Sequence, residues 1–141
     1  MLDRRLWRLP ARALAMSVGL VIVSHSAKLA EGVVELASQM ARNVQFRAAG
    51  GTDSGGIGTS FDAVLAAVEE LTGEGHEVAI LTDLGSADMT VDSVLEMVDS
   101  DVVRYCRGPL VEGAVSAAVT AQVGGDLDAV EQAAKALDAF G

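Results

Sequence analysis

Four short apolar, β-branched runs alternate with segments of helical periodicity, and that alternation predicts an α/β fold. The expected architecture is three-layered and doubly wound, a mainly parallel four-stranded sheet with helices on both faces. Composition points the same way. Half of the 141 residues are hydrophobic but only 4% are aromatic, so Ala, Val and Leu must fill the core, which suits helices laid on a sheet. Glycines at 73, 75, 124 and 125 punctuate the helical segments.

The first strand is expected over Val18–Val23, a continuous apolar run of the kind buried in parallel sheets. Ser26 opens a helix in which Leu29, Val33, Leu36 and Met40 recur at spacings of three and four, a stripe expected to face the sheet. Val44–Ala49 reads as a second strand, interrupted by Gln45 and Arg47. Residues 50–60 form a glycine-rich loop, and Thr59 or Ser60 can cap the next helix, with Phe61, Val64, Leu65, Val68 and Leu71 on its inner face. Val78–Leu81 is the third strand. A short loop over Leu84–Asp88 leads to a helix with Val91, Val94, Leu95 and Val98 inward. Val102–Cys106 is the fourth strand. Pro109 suits the first position of an Ala/Val-rich helix, and Asp126 can cap a last one carrying Leu127, Val130, Ala134 and Leu137. The order is βαβαβαβαα.

The length suits one domain with a single core. Residues 1–15 differ from the rest, with Arg4, Arg5, Arg8 and Arg12 against Asp3 alone. Setting these aside leaves six basic and nineteen acidic residues, a charge of −13. The basic stretch before Leu14–Val23 has the outline of a secretory leader, but the apolar run is short and leads directly into Ser24-His25-Ser26. Residues 1–15 are therefore expected to be a disordered extension or the product of a start codon placed too early, with the domain spanning residues 16–141. The whole chain carries a formal charge of −10, which argues against nucleic acid or an anionic membrane and favours a basic partner protein. One cysteine, Cys106, excludes an internal disulfide and fits a cytoplasmic location. Two His and one Cys are too few for an ordinary zinc site, and neither metal nor cofactor is expected.

Periodicity does not give strand order, and the common 2-1-3-4 arrangement is expected. In it the winding reverses between strands 1 and 3, and ligand chemistry gathers at the carboxyl ends beside that reversal. His25 follows strand 1 and Asp83 follows strand 3. A lone histidine there is ordinarily a satisfied loop residue, and aspartate is common in turns. Together they suggest more. A neutral imidazole is a nucleophile near pH 7 and can carry a phosphoryl group, provided an acceptor such as Asp83 holds its other nitrogen. Backbone N–H groups after Ser26 and at Gly85-Ser86, with the hydroxyls of Ser24, Ser26 and Ser86, are candidate donors to phosphoryl oxygens. His76 sits at the opposite end of the sheet and reads as a solvated loop residue. The 50–60 loop lacks a Gly-Lys-Ser/Thr ending and has Phe61 where a dinucleotide fingerprint needs glycine, so it reads as a surface loop near the site. Glu112, in a first helical turn, can simply complement the helix dipole.

Val21-Ile22-Val23-Ser24-His25-Ser26 resembles the phosphocarrier subunits of dihydroxyacetone kinases, relatives of the mannose-type IIA domains of the sugar phosphotransferase system. Thr82-Asp83-Leu84-Gly85-Ser86-Ala87, Pro109-Leu110-Val111-Glu112-Gly113 and Ile57-Gly58-Thr59 extend the resemblance, which runs from Met16 to Phe140. It implies that His25 is phosphorylated by phospho-HPr and that the recipient is ADP in the nucleotide-binding subunit of the kinase. The resulting ATP would phosphorylate dihydroxyacetone on a third, dihydroxyacetone-binding subunit. It implies also that Asp83 is the aspartate beside the histidine, that Ser86 lies in the phosphate-binding loop, and that the chain forms a homodimer. Some members continue into fused HPr-like and enzyme I-like domains, whereas this sequence stops at Gly141 and is expected to need a separate donor. The basic head has no counterpart in the family.

A mannose-type sugar IIA domain, passing phosphate to a permease, would share the chemistry. Such domains tend to carry Thr-His-Gly and a longer loop after the aspartate, whereas Ser-His-Ser and Leu-Gly-Ser-Ala favour the kinase subunit. A receiver-type domain phosphorylated on Asp83 would need an acidic pair after strand 1 and a late lysine, and neither is present. A non-catalytic interaction module would leave the paired strand-end residues unexplained.

Overall fold

All seven residues of β1 (Val18–Ser24) are buried, as befits a strand with a neighbour on each side and helices above and below. The structure, a computed structural model, describes residues 17–135. The extension expected over residues 1–15 and the inward Leu137 lie outside the described residues. From β1 the chain runs through α1 (Ala27–Met40), β2 (Phe46–Gly50), α2 (Phe61–Gly73) and β3 (Glu77–Thr82). A 3₁₀ turn over Gly85–Ala87 leads into α3 (Asp88–Leu95), followed by β4 (Val103–Tyr105), α4 (Leu110–Gln122) and α5 (Leu127–Lys135).

The four strands form one parallel sheet in the order β2-β1-β3-β4, so the expected reversal lies between β1 and β3. Side chains alternate along β1 and divide the core into two layers. Leu20 and Ile22, with Ala79 and Leu81 of β3, pack against α1, α4 and α5. Val21 and Val23, with Val78 and Ile80, pack against α2 and α3. Cys106 is buried, and desolvation pushes its thiol up to about 12, so it packs as a neutral side chain.

Several local expectations shift. β2 begins at Phe46 rather than Val44, and β3 extends one residue further at each end, to Glu77 and Thr82. The segment after Asp83 tightens into a 3₁₀ turn, and Asp88 is already the first residue of α3. α3 stops at Leu95, with Val98 packed on the core from the turn beyond. Phe61 is exposed at the start of α2, where the inner face begins with Val64.

The largest correction concerns α1. Its buried row is Ala30, Val33 and Ala37, continued by Ala41, while Leu29, Leu36 and Met40 are exposed. α1 lies too close to β2 for large side chains on that face. A Cβ built on Gly50 would stand 2.6 Å from the Ser26 carbonyl oxygen and 2.9 Å from Ala30 Cβ. Small residues permit that approach, and the bulky ones turn outward.

Candidate functional site

Because the sheet order reverses at β1 and β3, the residues following these strands emerge side by side. Val23 pairs in register with Thr82, which places Ser24-His25 against Asp83. The Asp83 carboxylate gathers four donors. Oδ2 accepts from the Ser24 hydroxyl at 2.8 Å and from the His25 backbone N–H at 3.0 Å. Oδ1 accepts from His25 Nδ1 at 2.9 Å and from the Leu84 backbone N–H at 2.8 Å. Burial pushes the Asp83 carboxyl upward, but hydrogen bonds from the His25 backbone and ring and from Ser24 outweigh it, and its pKa falls below the ordinary 3.8. The group is an anion at neutral pH.

That charge state decides the tautomer of His25. An ionised carboxylate only accepts, so in the neutral imidazole Nδ1 carries the proton and Nε2 keeps its lone pair. Ser86 Oγ stands 2.9 Å from Nε2 and, as the partner with a proton to give, donates to it. The ring is thus held at both nitrogens, with 19% of the side chain still exposed.

The backbone beneath the ring is pinned as well. Gly58 donates its N–H to the His25 carbonyl at 2.9 Å, and Gly51 donates to the Ser24 carbonyl at 3.1 Å. Gly58 adopts φ +145°, and a Cβ there would stand 2.7 Å from Thr52 Cγ2, so the loop requires glycine at this point. The surface loop expected over residues 50–60 is therefore part of the histidine's support. Its tip, Ile57, and Leu84 across the site are large apolar residues 79% and 58% exposed.

Of the expected site residues, His25, Asp83 and Ser86 come together. Ser24 is fully buried under Asp83, and its oxygen also accepts the Ser26 N–H at 3.0 Å. Ser26 caps α1, its hydroxyl accepting the Leu29 N–H at 3.2 Å. Gly85 opens the turn that carries Ser86. His76 lies apart, bonded through Nδ1 to the Ser17 hydroxyl at 2.8 Å. Among the described residues no group of three or more His, Cys, Asp or Glu side chains is arranged to hold a metal ion, and no helix is long and apolar enough to cross a membrane.

A cluster that sequence reasoning missed adjoins the site. Tyr105 donates its hydroxyl proton to Asp88 Oδ1, and its oxygen lies 2.8 Å from Thr82 Oγ1. Arg107 Nη1 donates to Asp88 Oδ2 at 2.9 Å, and the guanidinium stands 4.5 Å from the Tyr105 ring centroid. One signal was available: Tyr105 is the chain's single tyrosine, and it ends β4 at the same carboxyl end of the sheet where His25 follows β1.

The family described as the PTS system fructose IIA component, a mannose-type IIA family, matches residues 19–131. Among curated relatives, the phosphotransferase subunit of a PTS-dependent dihydroxyacetone kinase from Lactococcus lactis subsp. lactis is 42% identical over 117 residues, covering 83% of this chain and 93% of its own. The phosphoryl donor subunit of a PEP-dependent dihydroxyacetone kinase from Listeria innocua is 38% identical over 110 residues, 78% of this chain and 86% of its own. The corresponding subunit of Klebsiella michiganensis is 42% identical but longer, so the match spans 86% of this chain and 27% of that protein. Among solved structures, a protein described as of unknown function superposes with a TM-score of 0.76 at 29% identity, covering 85% of this chain and 94% of that one. A sigma-54 interaction domain protein from Enterococcus faecalis, at 15% identity and a TM-score of 0.65, shares the fold over 85% of this chain and 89% of its own.

Proposed function

The chain belongs to the mannose-type IIA family of phosphotransferase components, and from that premise we propose that it is the phosphoryl donor subunit of a PEP-dependent dihydroxyacetone kinase, carrying the group on His25 Nε2. One observation carries the residue assignment: the His25 ring lies between Asp83 on Nδ1 and Ser86 on Nε2, each at 2.9 Å.

In the first transfer the Nε2 lone pair attacks phosphorus on the phosphohistidine of HPr. The donor P–N bond breaks, and its electron pair returns to the HPr ring. His25, now bonded at Nε2 and still protonated at Nδ1, bears a positive charge that Asp83 balances at 2.9 Å. The Ser86 hydroxyl, released from Nε2, donates to a phosphoryl oxygen together with the amides of Gly85 and Ser86. Ser24 and Ser26 act one step back, Ser24 by orienting Asp83 and Ser26 by starting α1. In the second transfer a terminal phosphate oxygen of ADP, held in the nucleotide-binding subunit, attacks phosphorus, and the P–N electrons return to Nε2. ATP then phosphorylates dihydroxyacetone on the third subunit. The chemistry is the same in both directions, so the partners set the direction of flow.

Exposed Ile57 and Leu84 beside the ring suit contact with a protein surface. The reading includes a cytoplasmic location and a homodimer. The receiver alternative fits poorly, because both Asp83 oxygens are occupied by donors from His25, Ser24 and Leu84. The recipient is tested by mixing the phosphorylated chain with the two other kinase subunits, ADP and dihydroxyacetone. Dihydroxyacetone phosphate is the expected product. Retention of the phosphoryl group with those subunits, and its loss to a sugar permease component, would favour the sugar branch.

A further inference from the structure

Thr82 and Asp88 bound the seven-residue segment that carries both side chains gripping the His25 ring, Asp83 and Ser86. Asp83 is secured from β1 by the Ser24 hydroxyl and the His25 backbone N–H, independently of the turn that comes after it, and the Leu84 N–H adds a local bond. Ser86 is not. The 3₁₀ turn and α3 both begin without a side-chain cap, and the bond from the Ala87 N–H to the Leu84 carbonyl, 3.0 Å, lies within the segment itself. The buried Ala87 side chain adds packing but no direction. Directional anchoring comes from Asp88, whose carboxylate reaches across to β4 and beyond instead of capping its own helix.

We propose that Tyr105 is a positioning residue for phosphoryl transfer, its hydroxyl tying Thr82 to Asp88 so that Ser86 stays on His25 Nε2. The inference rests on the assignment of His25 as the carrier. Tyrosine has one hydroxyl proton, which goes to the Asp88 carboxylate, so the Thr82 hydroxyl donates to the phenol oxygen at 2.8 Å. Both ends of the segment therefore meet on one atom of β4. Arg107 completes the tie by bonding Asp88 and covering the Tyr105 ring. Burial, and then the Asp88 hydrogen bond, push the Tyr105 phenol above its ordinary value, so it remains the donor at neutral pH. α3 has a second attachment through Thr90 to Thr59 at 2.8 Å. Loss of the Tyr105 hydroxyl therefore leaves the helix docked and loosens the turn.

Tyr105→Phe keeps the ring under Arg107 and removes only the hydroxyl. The expected result is a melting temperature close to wild type and a roughly tenfold lower kcat for transfer from phospho-HPr, with KM little changed. In a Ser86→Ala background the same substitution should add less than about twofold, because the residue it positions is already gone. Thr82→Val cuts the other arm and should slow transfer in the same direction. The Nε2 nitrogen shift of unphosphorylated His25 should move in Tyr105→Phe toward its value in Ser86→Ala. Wild-type kcat in Tyr105→Phe, or an undiminished effect in the Ser86→Ala background, would overturn the proposal. A wild-type chain that takes no label on His25 would overturn the functional reading instead, and the nitrogen shifts would then decide for or against the tie alone.

Discussion

Four hydrogen bonds converge on the two oxygens of Asp83, and two of them come from His25. Asp83→Asn keeps the shape but removes the charge that, in the proposed mechanism, balances the phosphorylated ring. Transfer should slow by roughly 10²–10³-fold in single-turnover mixing with phospho-HPr, the equivalent of a few kcal/mol of lost electrostatic stabilisation. The same residue links stability to pH. Its folded pKa lies below the unfolded value, so its contribution is complete above about pH 3.8 and is lost as pH falls through the lower folded value. Urea unfolding of the wild type should therefore weaken more steeply below pH 3.8 than that of Asp83→Asn. Equal slopes would show that the hydrogen bonds do not lower this carboxyl. His25 and Asp83 were legible in the sequence because each directly follows an apolar strand, and Ser86 because it lies in a short motif after Asp83. The inward turn of Ser24 was not legible, since its partner depends on the register between β1 and β3.

The misplaced stripe of α1 shows a different limit to what periodicity reveals. Leu29, Leu36 and Met40 have the right spacing for a buried face, but so does the neighbouring row of Ala30, Val33, Ala37 and Ala41. Hydropathy favours the larger residues, and only the distance between helix and sheet selects the smaller. Two glycines test that packing. At Gly32, on the exposed side of α1, an added Cβ would meet nothing within 4 Å. Gly32→Ala should stabilise the protein by about 0.5–1 kcal/mol through backbone entropy and helix propensity. At Gly50 a Cβ would stand 2.6 Å from the Ser26 oxygen and 2.7 Å from Ala27 Cα. Gly50→Ala should cost about 1–3 kcal/mol and slow transfer, because it pushes on the first turn of α1 next to His25. Denaturant melts of the two variants should move in opposite directions. A neutral Gly50→Ala would mean that β2 and α1 are not in close contact.

For the molecule as a whole, the strand alternation predicted a parallel α/β sheet, whereas the reversal between β1 and β3 was expected only because the 2-1-3-4 order is common, and the sheet has that order. The tie through Tyr105 was not visible, because it joins β4 to a turn distant in sequence through hydroxyls that carry no periodic signal. The charge of −10 bears on how partners arrive. Attraction to a basic phosphoryl donor should weaken with salt, since the screening length is about 10 Å at 0.1 M. The KM for phospho-HPr should accordingly rise severalfold between low and high ionic strength while kcat holds steady. A salt-independent KM would assign recognition to the apolar residues at Ile57 and Leu84. The central claim, that His25 Nε2 is the carrier atom, is tested most directly by incubating the chain with phosphoenolpyruvate, enzyme I and HPr and locating the label. The account predicts one phosphoryl group on His25, acid-labile and base-stable, bonded at Nε2, present in His76→Ala and absent in His25→Ala. Label that survives in His25→Ala, or that hydroxylamine releases from Asp83, would contradict it.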